Sequence, residues 1–316
     1  MDRDKIFRIV FMGTPDFALP SLRALLDSKD EVTAVVTQPD RPRGRGKRPL
    51  PSPVKEEALL SEIPVIQPEK ADDPRFIKAL RDLSPDLLVT AAFGQILPKQ
   101  VLDIPSIMSI NVHGSLLPKF RGAAPIQWAI LKGEKETGVT IMQMDIGMDT
   151  GPILLTEAVT IEEDETYGRL YRRLAELGAR LLLKAIRGLK EGAITPFPQP
   201  KSEISYAPPL GSGIAWIDWA KPAEELHCLI RALDPRPGAY TIFRGKRLKL
   251  FSPIIIKRHT TVTPGTVLES GENGLLIATG RDSLLVQELF LAGKRRLGAK
   301  EFLKGTKITD GIVLGS

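Results

Sequence analysis

Between residues 6 and 161 the chain passes through short, continuous apolar runs separated by segments of helical spacing. IFRIVFMG (6–13), EVTAVVTQ (31–38), DLLVTAAFG (86–94), IMSINVHG (107–114), TGVTIMQMD (137–145) and GPILLTEAVTI (151–161) are strand candidates. FALPSLRALLDS (17–28), SPVKEEALLSE (52–62, opened by Ser52 and Pro53), PIQWAILKGE (125–134) and the long stretch 166–192 are helix candidates. Strands that are apolar throughout, rather than alternating, must be covered on both faces. Joined by helices, they predict an α/β fold with a Rossmann-like, mostly parallel sheet. Ligands of such sheets gather at the carboxyl ends of the strands. Asn111, His113 and residues 145–150 each follow a strand end on this reading.

The pattern changes near residue 192. GAITPFPQPKSEISYAPPLGSG (192–213) is rich in Pro, Ser and Gly, cannot continue a helix, and reads as an interdomain linker, placed at 193–210. Beyond it one helix, about 222–233, precedes strand-like runs at 238–258, 265–270, 274–280 and 284–293 with glycine turns between them. Five or so strands in so short a span suit a small β-barrel of the oligonucleotide-binding type over 211–316. A chain of 316 residues exceeds what one core normally serves, which agrees with a first domain over 1–192 and a second after the linker.

Charge separates the two parts. The net +6 belongs wholly to residues 207–316, which hold 16 Lys and Arg against 10 Asp and Glu; the remainder is balanced. A polyanionic partner for the C-terminal part is the implication. No run is long and apolar enough to span a membrane, and the acidic start followed by a strand does not resemble a secretory signal. One cysteine, Cys228, rules out an internal disulfide framework, suits a reducing cytoplasm, and sits in a helical pattern as a small core residue. The three histidines (His113, His227, His259) and Cys228 lack ligand spacing, so no metal site is expected. The first turn, FMGTPDFALP, has one glycine where a dinucleotide fingerprint needs three. GRGKRP has the wrong spacing for a phosphate loop and puts Arg48 where a hydroxyl should hold Mg²⁺.

Asn111 and His113 stand two residues apart at the end of a strand, and side chains alternate with period two, so both leave on one face. An asparagine amide can donate to a developing oxyanion, and an imidazole exchanges protons near neutral pH. Asp149 is placed to fix the imidazole tautomer or hold its charge. The alternative for a lone histidine is a satisfied core residue; the Asn partner and the glycine-flanked acidic loop bring the two readings level. There is no G-x-S-x-G motif and no cysteine suited to attack, so acyl transfer between two bound ligands fits better than a covalent enzyme intermediate.

NVHGSLLPKFRGAAPIQWAI (111–130) followed by TGVTIMQMDIGMDTGPIL (137–154) resembles the folate-dependent formyltransferases. The resemblance extends over essentially the whole chain. IVFMGTPDFALPSL, TQPDRPRGRGKRPLPSPVK, AAFGQILP, SYAPP and the ending GKRRLGAKEFLKGTKITDG look like the branch that formylates methionyl-tRNA. The resemblance implies 10-formyltetrahydrofolate as formyl donor, initiator methionyl-tRNA as acceptor, and Asn111, His113 and Asp149 as the catalytic trio. It further implies a folate pocket at Phe93, Gly94, Gln95, Ile96 and Leu97, at Ser115, Leu116, Leu117 and Pro118, and at Asp145. Phe93 stands where tyrosine is common in such proteins, a change that keeps the ring.

The loop DRPRGRGKRP carries Arg41, Arg43, Arg45, Lys47 and Arg48 and is long for a connection between strand and helix. By itself it reads as a solvated loop or a phosphate-binding one; the resemblance implies that it contacts the acceptor arm of the tRNA. A sugar or glycinamide-ribonucleotide formyltransferase would share the catalytic core but not the basic C-terminal part. A cytoplasmic monomer is the expected setting.

Overall fold

The structure, a computed structural model, describes residues 5–43 and 48–315. The chain divides into two compact units. One comprises Met1–Pro125, Thr137–Val159 and Tyr171–Pro208; the other comprises Ile126–Glu136, Thr160–Leu170 and Pro209–Ser316. The stretch expected as a linker therefore runs with the first unit as far as Pro208.

As far as residue 191 the strands and helices follow in the order β1 (Arg8–Gly13), α1 (Leu19–Leu26), β2 (Glu31–Val36), β3 (Arg41–Arg43), β4 (Arg48–Leu50), α2 (Pro53–Leu60), β5 (Val65–Ile66), α3 (Pro74–Asp82), β6 (Leu87–Ala91), α4 (Lys99–Leu102), β7 (Met108–His113), α5 (Pro125–Leu131), β8 (Glu136–Gln143), β9 (Ile153–Thr160) and α6 (Tyr167–Glu191); α5 beyond Pro125 and the first turn of α6 count with the second unit, the rest almost wholly with the first. Seven strands form one sheet in the order β5-β2-β1-β6-β7-β8-β9. β1, β2, β5, β6 and β7 pair in parallel, as the apolar runs dictate. Val10, Phe11 and Met12 of β1 and Leu87, Leu88 and Val89 of β6 are fully buried. Burying each such apolar side chain is worth about 1.5–3 kcal/mol. Within β6 the one hydroxyl, Thr90, is also buried and therefore needs a partner.

The capping chemistry agrees with the sequence. Ser52 caps α2 by accepting a hydrogen bond from Lys55 N–H at 3.1 Å, with Pro53 in the first turn. Asp73 and Pro74 open α3 in the same way; its stripe of Phe76, Ile77 and Leu80 faces the core. That helix was open to detection, since an Asp-Pro start before apolar residues at helical spacing is a recognised signal.

β8 departs from the parallel scheme. It runs antiparallel to β7, with Ile110 opposite Gln143 and His113 opposite Thr140. Its carboxyl end is thus three residues, about 10 Å, short of His113 along the sheet. The carboxyl-end rule accounts for Asn111 and His113 but not for Asp149, which reaches the site only because the loop after β8 doubles back.

The second unit contains α7 (Ala223–Ala232), β10 (Tyr240–Phe243), β11 (Lys246–Ile256), β12 (Val267–Gly271), β13 (Gly274–Ala278), β14 (Ser283–Leu291), β15 (Leu297–Gly298) and α8 (Ala299–Gly305). The antiparallel path is β10-β11-β14-β13-β12, with β15 on β14, which is the size of sheet the C-terminal runs imply. The single run at 238–258 resolves into β10 and β11 joined at Arg244 and Gly245. Leu226 and Ile230 of α7 and Phe302 of α8 complete its core with Leu248, Leu250, Ile277 and Val286. Cys228 is half-buried, with its Sγ 3.6 Å from Arg231 Nη2. No helix among the described residues is long and apolar enough to cross a membrane.

Candidate active site

The end of β7 delivers Asn111, half-buried, and His113, buried, on one face, as alternation requires. Thr90 lies directly opposite Asn111 in the parallel ladder, and its Oγ donates to Asn111 Oδ1 at 2.8 Å. An amide whose oxygen is so engaged presents its NH₂ away from the β6 side. Asn111 is thereby a donor into the site.

The imidazole of His113 is bracketed. Its Nε2 lies 3.1 Å from the carbonyl oxygen of Phe120, an acceptor only, so Nε2 carries a proton and donates it there. Its Nδ1 faces Asp149 Oδ1 at 3.6 Å, a distance for charge pairing but too long for a hydrogen bond. Of the two nitrogens, Nδ1 is the one able to exchange a proton with a ligand. When it takes that proton, the Asp149 carboxylate stands ready to hold the charge.

Asp149 is itself held from two directions. Gly122 N–H donates to its Oδ2 at 2.8 Å, and Gln199 Nε2 donates to its carbonyl oxygen at 2.8 Å. Its φ of +53° lies in the left-handed region, which costs a non-glycine residue roughly 1–2 kcal/mol. Gly122, at φ +120°, lets the chain pass so close to residue 207 that a Cβ would sit 2.8 Å from the Ala207 carbonyl oxygen. Gly151 allows the doubling-back of the loop, since a Cβ there would lie 1.9 Å from the carbonyl oxygen of Gln143. Asp145 is exposed and closes the same loop on itself, accepting from Thr150 Oγ at 2.7 Å and from Gly147 N–H at 3.1 Å.

The other expected pocket residues divide into walls and rims. Phe93 and Leu97 are buried with Val10, Met12 and Leu80, while Gly94 and Ile96 are exposed. The Gln95 amide ties down the neighbouring segment, accepting from Ala71 N–H at 2.8 Å and donating to Pro68 O at 3.3 Å. Ser115, Leu117 and Pro118 are buried, and Leu116 is half-buried. The Ser115 hydroxyl donates to Lys119 O at 2.6 Å, and Thr140 Oγ donates to Ser115 O at 2.7 Å. That turn is a braced shelf.

The basic stretch emerges as a two-stranded ribbon, β3 against β4, with Arg43 opposite Arg48. Arg45 and Lys47 lie outside the described residues. Arg41 is exposed and pairs with Glu69 at 2.8 Å. The foot of the ribbon is clamped: Lys55 donates to Asp40 Oδ2 and Gln67 Oε1, both at 2.7 Å, and Gln67 donates to Asp40 Oδ1 at 2.9 Å. These bonds hold the Asp40 carboxyl below the ordinary carboxylate range.

Thr90, Arg121, Gly122 and Gln199 belong to the site although sequence reasoning did not single them out. Among the described residues no group of three or more His, Cys, Asp or Glu is arranged to hold a metal ion. The donor set is that of a site acting on a carbonyl by hydrogen bonding and proton exchange.

Profiles of the formyl transferase family match the chain at residues 7–186, and of the formyl transferase C-terminal domain at 213–307. A methionyl-tRNA formyltransferase from Desulfotalea psychrophila is 51% identical over 311 residues, covering 98% of this chain and 96% of its own. One from Pelobacter propionicus is 50% identical over 307 residues, covering 97% and 96%. Among solved structures, WlaRD, a sugar 3N-formyl transferase crystallised in the presence of dTDP and 5-N-formyl-THF, superposes with a TM-score of 0.67. It is 21% identical and covers 92% of this chain and all of its own. HypX from Aquifex aeolicus in complex with tetrahydrofolic acid gives 0.62 at 20% identity; this chain spans about half of that protein, 51%. At those identities the two structures speak for the fold. The long, closely similar relatives speak for more: the chain belongs to the formyl transferase family and, within it, to the methionyl-tRNA formyltransferases.

Proposed function

We infer that this chain transfers the formyl group of 10-formyltetrahydrofolate to the α-amino group of methionine carried by initiator tRNA, with Asn111, His113 and Asp149 as its catalytic residues. The observation that carries the assignment of roles is the bracketed imidazole beside an amide whose donor end is fixed. Asn111 donates to the formyl oxygen as negative charge develops on it. His113 takes the proton of the attacking amine at Nδ1 and returns it to the departing folate nitrogen. Asp149 holds the imidazolium between these two transfers. Phe120 O keeps the ring from turning.

The folate is assigned to the space bounded by Phe93, Gly94, Gln95, Ile96 and Leu97, by the shelf Ser115, Leu116, Leu117 and Pro118, and by the loop from Asp145. Ile96, Ile146 and Met148 are strongly exposed aliphatic side chains on these segments and suit a flat, largely apolar ring system. The tRNA is assigned to the basic stretch of sequence that carries Arg41, Arg43, Arg45, Lys47 and Arg48, and to the basic second unit. A monomer working in the cytoplasm is the setting that fits this reading.

The deciding experiment supplies 10-formyltetrahydrofolate with methionyl-tRNA, free methionine or an amino-sugar nucleotide as acceptor. Formylation of the tRNA alone is expected. Formylation of the sugar nucleotide with the tRNA untouched would overturn the assignment.

A further inference from the structure

Gln199 belongs to the stretch between the two family matches, in a segment whose composition is that of a linker. Its side chain is nevertheless fully committed. Nε2 donates to the carbonyl oxygens of Asp149 and Gly151, both at 2.8 Å, and Oε1 accepts from Arg121 Nε at 3.1 Å and Nη2 at 2.6 Å. A glutamine amide offers two donors and two acceptor positions, and all four are used. Two carbonyls on one end and a guanidinium on the other leave no ambiguity about which end is nitrogen.

The partners matter more than their number. Residues 120–122 supply the carbonyl that receives His113 Nε2–H and the N–H that binds the Asp149 carboxylate. Residue 149 supplies the carboxylate that faces His113 Nδ1. Arg121 sits in the first of these segments and is buried, while the Asp149 carbonyl belongs to the second. Gln199 therefore ties together the two segments that bracket the imidazole. Neighbouring backbone strengthens the connection. Ser205 Oγ accepts from Phe120 N–H at 2.9 Å, Arg121 N–H donates to Ser205 O at 2.9 Å, and Ala207 N–H donates to Arg121 O at 2.7 Å. Phe197 pairs with Ile153 just beyond the loop.

We propose that Gln199 is a positioning residue for the His113–Asp149 pair, so that the segment from Phe197 to Ala207 is a working part of the catalytic unit. This rests on the roles given above to His113 and Asp149. Without the clamp, Asp149 loses the bond that offsets its left-handed backbone, and the carboxylate drifts from the imidazole. A displacement of about 1 Å at a reacting group can cost up to ~10²-fold in rate.

The test uses the full-length protein with Gln199→Leu and Gln199→Glu, each assayed well below its melting temperature. Gln199→Glu keeps an acceptor for Arg121 and replaces the two bonds to the carbonyls by a carboxylate oxygen that repels them. Both variants are expected to lower kcat by ~10- to 100-fold, with KM for folate and for tRNA within about twofold of wild type. In an Asp149→Ala background, Gln199→Leu should add less than about twofold, because the group it positions is gone. Losses that multiply in the double mutant would mean a general structural effect and overturn the proposal, as would wild-type kcat in Gln199→Glu. If Asp149→Ala alone retained wild-type kcat, the roles given to the trio would fall, and the proposal with them.

Discussion

Thr90 Oγ and Asn111 Oδ1 lie 2.8 Å apart across the β6–β7 ladder, and this bond sets which end of the asparagine amide enters the site. Thr90→Val preserves shape and removes the donor. It is expected to lower kcat by at least ~10-fold, less than the ~10²–10³-fold cost of deleting such a donor outright, with substrate KM little changed. Thr90→Ser should retain most of the activity. Equal kcat in the Val and wild-type enzymes would show that the amide is oriented by something else.

The trio itself gives a second expectation. Asn111→Ala, His113→Ala and Asp149→Ala should each reduce kcat at least ~10²-fold, the usual scale for lost electrostatic or acid–base assistance. Far-ultraviolet circular dichroism and folate titration separate this from misfolding. Near-normal turnover in His113→Ala would remove the imidazole from the chemistry.

Gly151→Ala would push a methyl group to within 1.9 Å of the Gln143 carbonyl oxygen, so the loop must shift. A loss of about 1–3 kcal/mol, the ordinary scale of overpacking, is expected. Calorimetry should show a melting temperature lowered by several degrees, and kcat should fall even where the variant is fully folded. An unchanged melting temperature together with unchanged kcat would show that the loop tolerates the shift.

Phosphate binding by the basic ribbon should appear as salt dependence. Replacing Arg41, Arg43 and Arg45 together by Ala should raise the tRNA KM and flatten the slope of log K against log[salt]. Every phosphate that goes unneutralised should account for roughly 0.7–0.9 of that slope. Folate affinity should stay at the wild-type value, since these side chains belong to none of the segments assigned to the folate. A wild-type slope in the triple variant would count the ribbon out of tRNA binding.

In the second unit, burial together with the nearby Arg231 and Lys135 charges pushes His227 down to about 4. Its Nδ1 accepts from Arg231 Nε at 3.2 Å, which requires the neutral ring. The unfolded chain takes up this proton near pH 6.5 and the folded chain only near pH 4. Stability contributed by the neutral ring is therefore full above pH 6.5, declines as the pH falls toward 4, and changes no further below that. The loss is on the order of 3 kcal/mol. Urea unfolding at pH 7, 5.5 and 4 should show a shallower acid decline in His227→Gln than in wild type; identical declines would assign the effect to other groups.

The parts of the site visible in the sequence are those carried by local periodicity. Alternation along one strand places Asn111 beside His113, and apolar runs of uniform character announce the parallel sheet. The antiparallel β8 was not visible, because a run of buried residues has the same composition in either direction. Thr90 was hidden because its relation to Asn111, 21 residues away, depends on the register of two parallel strands. Gln199 was hidden for a different reason. Turn-forming composition describes a segment's backbone freedom, not what its one amide side chain meets 50 residues earlier in the chain.

His113 has one nitrogen sealed by Phe120 O, and so has a single door for protons. Whatever enters at Nδ1 must leave at Nδ1. On the roles proposed above, the amine that surrenders a proton and the folate nitrogen that receives it meet the imidazole at one and the same point. No side chain is assigned to carry the formyl group, so the direct transfer proposed above needs donor and acceptor bound together. The enzyme's double-reciprocal plots should intersect, and no formylated form of the protein should be recoverable when folate is supplied without tRNA.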